Sequence, residues 1–235
     1  VSARVVRDIE YQLLRSCERK TADIVIERDG LISVRVPAHL SEEQADAVVE
    51  RKRLWIYRNL AEWRDLNATR VVREWVNGEG FLYLGSSYRL LLTQEQDEPV
   101  KLKDGRFCLR RAIVEGGGEQ AAKRAFEKFY TEKAEERIQK RVAYFAPKVG
   151  VSPLSVEVKE IGYRWATCSS DGRLSFHWKC MMASPKAIDY IVVHELCHLR
   201  HRDHTDAFWN EVDKVMPDYA ERKAWLRENG SALDV

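Results

Sequence analysis

Toward its C-terminal end the chain reads His194-Glu195-Leu196-Cys197-His198, with His204 six residues further on. Residues i and i+4 of a helix share a face, so His194 and His198 project side by side toward one ion. His204 adds a third imidazole if the chain leaves the helix after His198 and turns back. Three protein ligands leave one position of a zinc ion open, the arrangement of a catalytic rather than a structural site. Glu195 stands where a carboxylate takes a proton from water. Of the 6 histidines in the chain, His194, His198, His201 and His204 crowd this one stretch. Metal ligation explains such clustering, whereas surface decoration does not.

Hydrolysis at such a centre also needs a group that stabilises the developing oxyanion. The sequence offers Arg164, His177, Arg200 and His201 without ranking them. Cys197 points away from the ligand face and reads as packing, as does Cys168. The segment Arg173-Leu174-Ser175-Phe176 reads as a strand just before the metal helix. Such a strand is a candidate for pairing with an extended peptide through backbone hydrogen bonds. The three histidines also fit the longer pattern HExxHxxGxxH, with His201 in the glycine position. Histidine tolerates positive φ better than most residues, so the turn can still form. Met216 falls in an apolar helical pattern and reads as core.

These residues need elements to position them. Ser184-Pro185 is an N-cap followed by proline at the first helical position, so the metal helix is predicted from about Pro185 to Leu199. Strands are predicted at 155–161, 164–168 and 173–178. A long helix precedes them over about 119–146, with Phe126, Phe129, Tyr130, Ala134, Ile138, Val142 and Phe145 as its stripe. Thr205 and the pair Asp218/Glu221 mark two later helix starts, and Gly230 a helix end.

Earlier in the chain, short strands are predicted at 11–14, 23–26 and 31–36, the last two joined by a turn at Arg28-Asp29-Gly30. Ser41 and Gln44 form a capping box that opens a helix to about residue 64. Alternating strands follow at 81–84, 88–93, 100–102 and 106–113. Gly116-Gly117-Gly118 lacks the residues of a phosphate loop and reads as a linker. The break therefore divides a β-rich N-terminal part, 1–115, from a second domain, 119–235. The fold class is α+β: a mostly antiparallel β segment with one helix, then a domain with a small sheet and the HExxH active-site helix.

The 235 residues carry 39 basic and 37 acidic side chains, a net charge of +2, which does not favour direct, strong nucleic-acid binding. Five cysteines without a CxxC pair argue against a disulfide framework or a zinc ribbon and favour a reducing, cytoplasmic setting. No apolar run is long enough to span a membrane.

The run from Tyr163 through Trp178, followed by His194 to His198 and by His204 with Phe208-Trp209, resembles the YgjP-like metallopeptidase family. These are small, mostly bacterial HExxH proteins related to the SprT-type proteases. The resemblance covers most of the chain. It implies a zincin-like C-terminal domain, Zn2+ on His194, His198 and His204, Glu195 as catalytic acid/base, and a peptide or protein substrate. The chain departs from the family pattern at Ala166-Thr167, usually Gly-Ser, and at His177, usually asparagine. Both departures concern the rim of the site. Two other readings of the residues stay open. One is a metal-dependent nucleoside triphosphate pyrophosphohydrolase using Arg164, Arg173, Lys179 and Arg200 on phosphates. The other is a non-catalytic zinc-binding module.

Overall fold

The computed structural model describes residues 2–17, 21–26, 31–67, 73–162 and 164–235. The turn expected at Arg28-Asp29-Gly30, and Tyr163, lie outside the described residues. The chain forms two compact units, Val1–Arg70 and Val71–Val235.

In the first unit, strands β1 (Ser2–Val6), β2 (Ile9–Ser16), β3 (Asp23–Ile26) and β4 (Ile32–Pro37) precede helix α1 (Glu42–Asn67). The sheet order is β1-β2-β4-β3, with β2 and β4 parallel and both outer pairs antiparallel. Ile9, Tyr11 and Leu13 alternate inward on β2, as a half-buried strand requires. The capping box holds: the Gln44 N–H donates to Ser41 Oγ, and the Ser41 N–H donates to Gln44 Oε1.

The second unit opens on the same plan. Strands β5 (Gly80–Tyr83), β6 (Ser86–Thr93), β7 (Val100–Lys103) and β8 (Arg106–Arg110) form a sheet of order β5-β6-β8-β7, again with a parallel central pair, and helix α2 (Arg111–Val149) follows. These strands share one core with α2: Phe81, Phe107, Phe126 and Tyr130 form a ring cluster with centroid separations of 4.6–6.3 Å. The boundary therefore differs from the one read at the glycine run. β5–β8 pack with the C-terminal elements, and the chain divides at 70/71. Gly118 is a kink rather than a linker. Its backbone (φ 60, ψ −160) interrupts a helix that already starts at Arg111, so the strand expected through Ile113 stops at Arg110. Glycine suits that kink because other residues enter positive φ only with strain.

Strands β9 (Ser155–Val158), β10 (Ala166–Cys168) and β11 (Arg173–Phe176) then form a small mixed sheet of order β10-β11-β9. β11 is antiparallel to β10 and parallel to β9, so both of its edges are already bonded. This corrects the expectation that Arg173-Leu174-Ser175-Phe176 pairs with a peptide: a central strand has no free backbone groups to offer. Strand order is a tertiary property, and the local sequence does not encode it.

Helices α3 (Pro185–Cys197), α4 (Asp206–Val215) and α5 (Tyr219–Asn229) complete the α+β fold. α3 begins as the sequence indicates, with Ser184 Oγ accepting the Ala187 N–H at 3.3 Å and Pro185 in the first turn. Ile188, Val192 and Leu196 are fully buried and fix the helix against the body of the unit. Gly230 does not adopt the left-handed cap conformation; the chain continues into a 3-10 turn at Gly230–Ala232. Among the described residues, no helix is long and apolar enough to cross a membrane.

Candidate metal centre

α3 ends at Cys197, with His198 as its cap residue, so His194 and His198 occupy the last turn on one face. The chain then leaves the helix and returns to present His204 just before α4. His194 Nε2 lies 3.2 Å from His198 Nε2 and 3.0 Å from His204 Nε2. The donor atoms of all three lie within 4.8 Å of one another.

The chemistry of this donor set fits a zinc-type ion. His198 Nδ1 faces the His201 carbonyl at 3.0 Å, which places the ring proton on Nδ1 and leaves Nε2 as a lone pair. Lone pairs that converge repel one another unless a cation lies between them. Two nitrogens bound at 2.0–2.1 Å in a tetrahedron stand about 3.3 Å apart, close to the separations found here. Burial depresses all three imidazole pKa values, with His194 pushed down to about 3 by burial and by its two neighbours. Neutral imidazole is the form that binds metal.

Packing holds the rings. Phe208 lies 4.6–5.0 Å from all three imidazole centroids, and Trp209 stacks on His204 at 5.6 Å. Tyr219 in turn stacks on Trp209 at 5.4 Å. Tyr190 sits one helical turn before His194, with its hydroxyl 3.5 Å from His194 Nδ1. Burial, and next the Glu195 carboxylate, push the Tyr190 phenol up to about 12.

Glu195 follows His194 directly and is only 6% exposed. Burial pushes its carboxyl pKa up to about 7, and the Arg164 guanidinium pulls in the opposite direction. No hydrogen-bond donor among the described residues meets this carboxylate.

The remaining candidates fall in different places. Arg164 acts on Glu195 through its charge. His201 contributes its backbone carbonyl, which orients His198. His177 is 2% exposed and has both ring nitrogens engaged: Nδ1 accepts from the Lys179 N–H at 3.1 Å, and Nε2 contacts Glu160 Oε1 at 2.8 Å. It caps a 3-10 turn at Trp178–Met182 and has no free nitrogen for an oxyanion. Arg200 is paired with Glu211 at 3.1 Å and donates to the Gly150 carbonyl. Cys197 and Met216 are buried, as expected. Sequence reasoning missed Tyr190, although its place four residues before His194 on a helix was a usable signal. It also passed over Arg202, for which no local signal exists.

Two imidazoles at the end of α3, a third from the loop that follows and a largely buried carboxylate between them in sequence are the residue types of a metal-dependent hydrolase site. The chain belongs to the YgjP-like family: the profile described as "YgjP-like, metallopeptidase domain" matches residues 20–229. That family implies a divalent metal, typically zinc. Among solved structures, the chain is similar to the crystal structure of the metallopeptidase zymogen of Pyrococcus abyssi abylysin. That match has 22% identity and a TM-score of 0.35, over 37% of this chain and 89% of the other. No curated protein matches the chain.

Proposed function

We propose that this protein is a zinc-dependent peptidase in which His194, His198 and His204 hold the metal and Glu195 is the proton carrier. The observation that carries the reading is a largely buried carboxylate, met by no hydrogen-bond donor among the described residues, next to the first of three converging imidazoles. A module that only stored or was stabilised by zinc would gain nothing from holding a carboxylate in a site where burial disfavours its charged form.

Zinc in this position supplies a Lewis acid that polarises a carbonyl group and eases loss of a proton from water. Glu195 takes that proton on a carboxylate oxygen, holds it while water oxygen bonds to the peptide carbon, and delivers it to the departing amine nitrogen. The C–N bond breaks, one water is consumed, and Glu195 returns to its starting state. Arg164 keeps part of the Glu195 population ionised against the effect of burial. Phe208 and Trp209 exclude water from behind the imidazoles and hold their planes.

The peptide-pairing edge belongs to β10. This strand lies at the edge of its sheet and packs against α3. Its outer backbone groups can pair with an extended chain. The phosphohydrolase reading loses most of its cations. Arg173 pairs with Asp171, Lys179 with Asp234 and Arg200 with Glu211, at 2.7, 2.9 and 3.1 Å.

The test compares the parent and Glu195→Gln for bound zinc, hydrolysis of a mixed peptide library, and release of pyrophosphate from nucleoside triphosphates. Peptide cleavage should fall by about 10²–10⁴-fold in the variant, the usual contribution of general acid–base catalysis, with zinc retained. Pyrophosphate release without peptide cleavage contradicts the reading, as does zinc retention with no glutamate-dependent reaction.

A further inference from the structure

His204 is the most exposed of the three imidazoles and stands on the loop between α3 and α4. A ligand on a loop is useful only if the loop is held. Within the loop, the Thr205 N–H donates to the Asp203 carbonyl at 2.9 Å. The link to the rest of the unit comes from Arg202. Its Nη1 donates to the Ser169 carbonyl at 2.7 Å, and its Nη2 donates to the Ser170 carbonyl at 2.8 Å. Nη1 also lies 3.8 Å from Cys168 Sγ. Ser169 and Ser170 form the turn between β10 and β11. That turn is closed by its own backbone: the Gly172 N–H donates to the Ser169 carbonyl, while the Ser169 N–H donates to the Arg173 carbonyl.

The charge of Arg202 makes its position informative. A fixed cation beside a cation-binding site opposes metal binding by Coulomb repulsion. Among the described residues no carboxylate pairs with it. Its placement here therefore has no electrostatic benefit for the metal, and what it supplies is geometry. A guanidinium presents two donors in a fixed plane, which suits two adjacent carbonyls and which an ammonium cannot reproduce.

We propose that Arg202 is a positioning residue for the third metal ligand, docking the His204 loop onto the β10–β11 turn so that His204 faces His194 and His198 before metal arrives. The proposal rests on the reading that the three histidines hold the ion. It also ties the third ligand to the hairpin that carries the peptide-pairing edge. A docked loop loses less conformational freedom when its histidine takes a metal, so affinity is gained without any added ligand.

The geometric and electrostatic effects of Arg202 have opposite signs, and that decides the experiment. Zinc dissociation constants are measured by chelator competition for the parent, Arg202→Gln, Arg202→Lys and His204→Ala. Absorption spectra of the cobalt-substituted proteins are recorded alongside, with melting of the metal-free forms as the check on folding. Removal of a group that supports a metal ligand typically weakens metal binding by about 10–100-fold. Arg202→Gln should show a loss in that range. Its cobalt bands should move toward those of His204→Ala, while the metal-free melting temperature stays near the parent's. Arg202→Lys keeps the charge but not the fork, so it should also bind more weakly than the parent. If Arg202→Gln binds zinc as tightly as the parent or more tightly, with unchanged cobalt bands, the proposal is overturned. If Arg202→Gln fails to fold, Arg202→Lys decides by the same criteria. If His204→Ala itself leaves zinc affinity unchanged, the ligand assignment fails and this proposal falls with it. If only the Arg202 variants are silent, the ligand assignment stands and the docking role alone is rejected.

Discussion

The segments β1–β4 with α1 and β5–β8 with α2 follow one plan: four strands in the order first, second, fourth, third, with a parallel central pair, and then a helix. They are filled differently. The first has an aliphatic core of Ile9, Leu13, Val34, Val36, Ala45, Val49 and Ile56, with Tyr11 as its large buried ring. Polar contacts tie its helix down. Arg4 pairs with Asp46 at 2.7 Å, and the Tyr11 hydroxyl donates to Asp46 at 2.6 Å. The second has a cluster of aromatic rings. Its helix also packs on α3, on the 3-10 turn at Trp178–Met182 and on α4, in addition to its own strands. α1 buries a single face and leaves Leu54 71% and Trp55 44% exposed on the other, flanked by Arg51, Lys52 and Arg58. One topology thus closes on an aliphatic core in one case and, in the other, packs on the helix that carries the candidate metal site. What separates the two is whether the second face of the helix is covered by further elements of its own unit.

The sharpest way to break that comparison is to damage each core in turn while watching zinc. Phe126 is fully buried between the second sheet and α2. Phe126→Ala should cost about 3–5 kcal/mol. The transition it lowers should be the one that added zinc raises, because a ligand stabilises only the unit that binds it. Ile56 is fully buried in the first core. Ile56→Ala should cost about 2–5 kcal/mol in a separate, zinc-insensitive transition, with zinc affinity unchanged. Calorimetry with and without zinc checks both. A single transition that responds to zinc and to both substitutions would show that the two cores do not behave separately. A smaller effect sharpens the contrast in how the helices are held. Tyr11→Phe removes one donor to Asp46 and should cost about 1 kcal/mol, read from denaturant midpoints. No measurable change would mean that Arg4 alone suffices to anchor α1.

The sequence carried the parts of this structure that depend on local spacing. His194, Glu195 and His198 were legible because a helix turns identity and i,i+4 separation directly into geometry. Ser184-Pro185 and the Ser41/Gln44 box announced their helices because caps are local chemistry. The glycine run was misread as a boundary because composition does not distinguish a kink from a linker. Ile113 and Val114, which pack on the core just before it, argue for the kink only once the partner strands are known. The strand expected to pair with a peptide is central for a related reason: order within a sheet is fixed by partners distant in the chain. His177 resembled a site residue by type, yet its two nitrogens are consumed by the Lys179 backbone and by Glu160. Arg202 gave no local sign, since its acceptors lie more than thirty residues earlier.

The account depends on three imidazole nitrogens binding one ion. X-ray absorption at the zinc edge of the fully loaded protein, compared with His204→Ala, tests this most directly. Three imidazole nitrogens at about 2.0–2.1 Å in the parent, reduced to two in the variant, is the result the account predicts. A parent spectrum fitted by two imidazoles and unaffected by His204→Ala would contradict it, as would a sulfur contribution at about 2.3 Å.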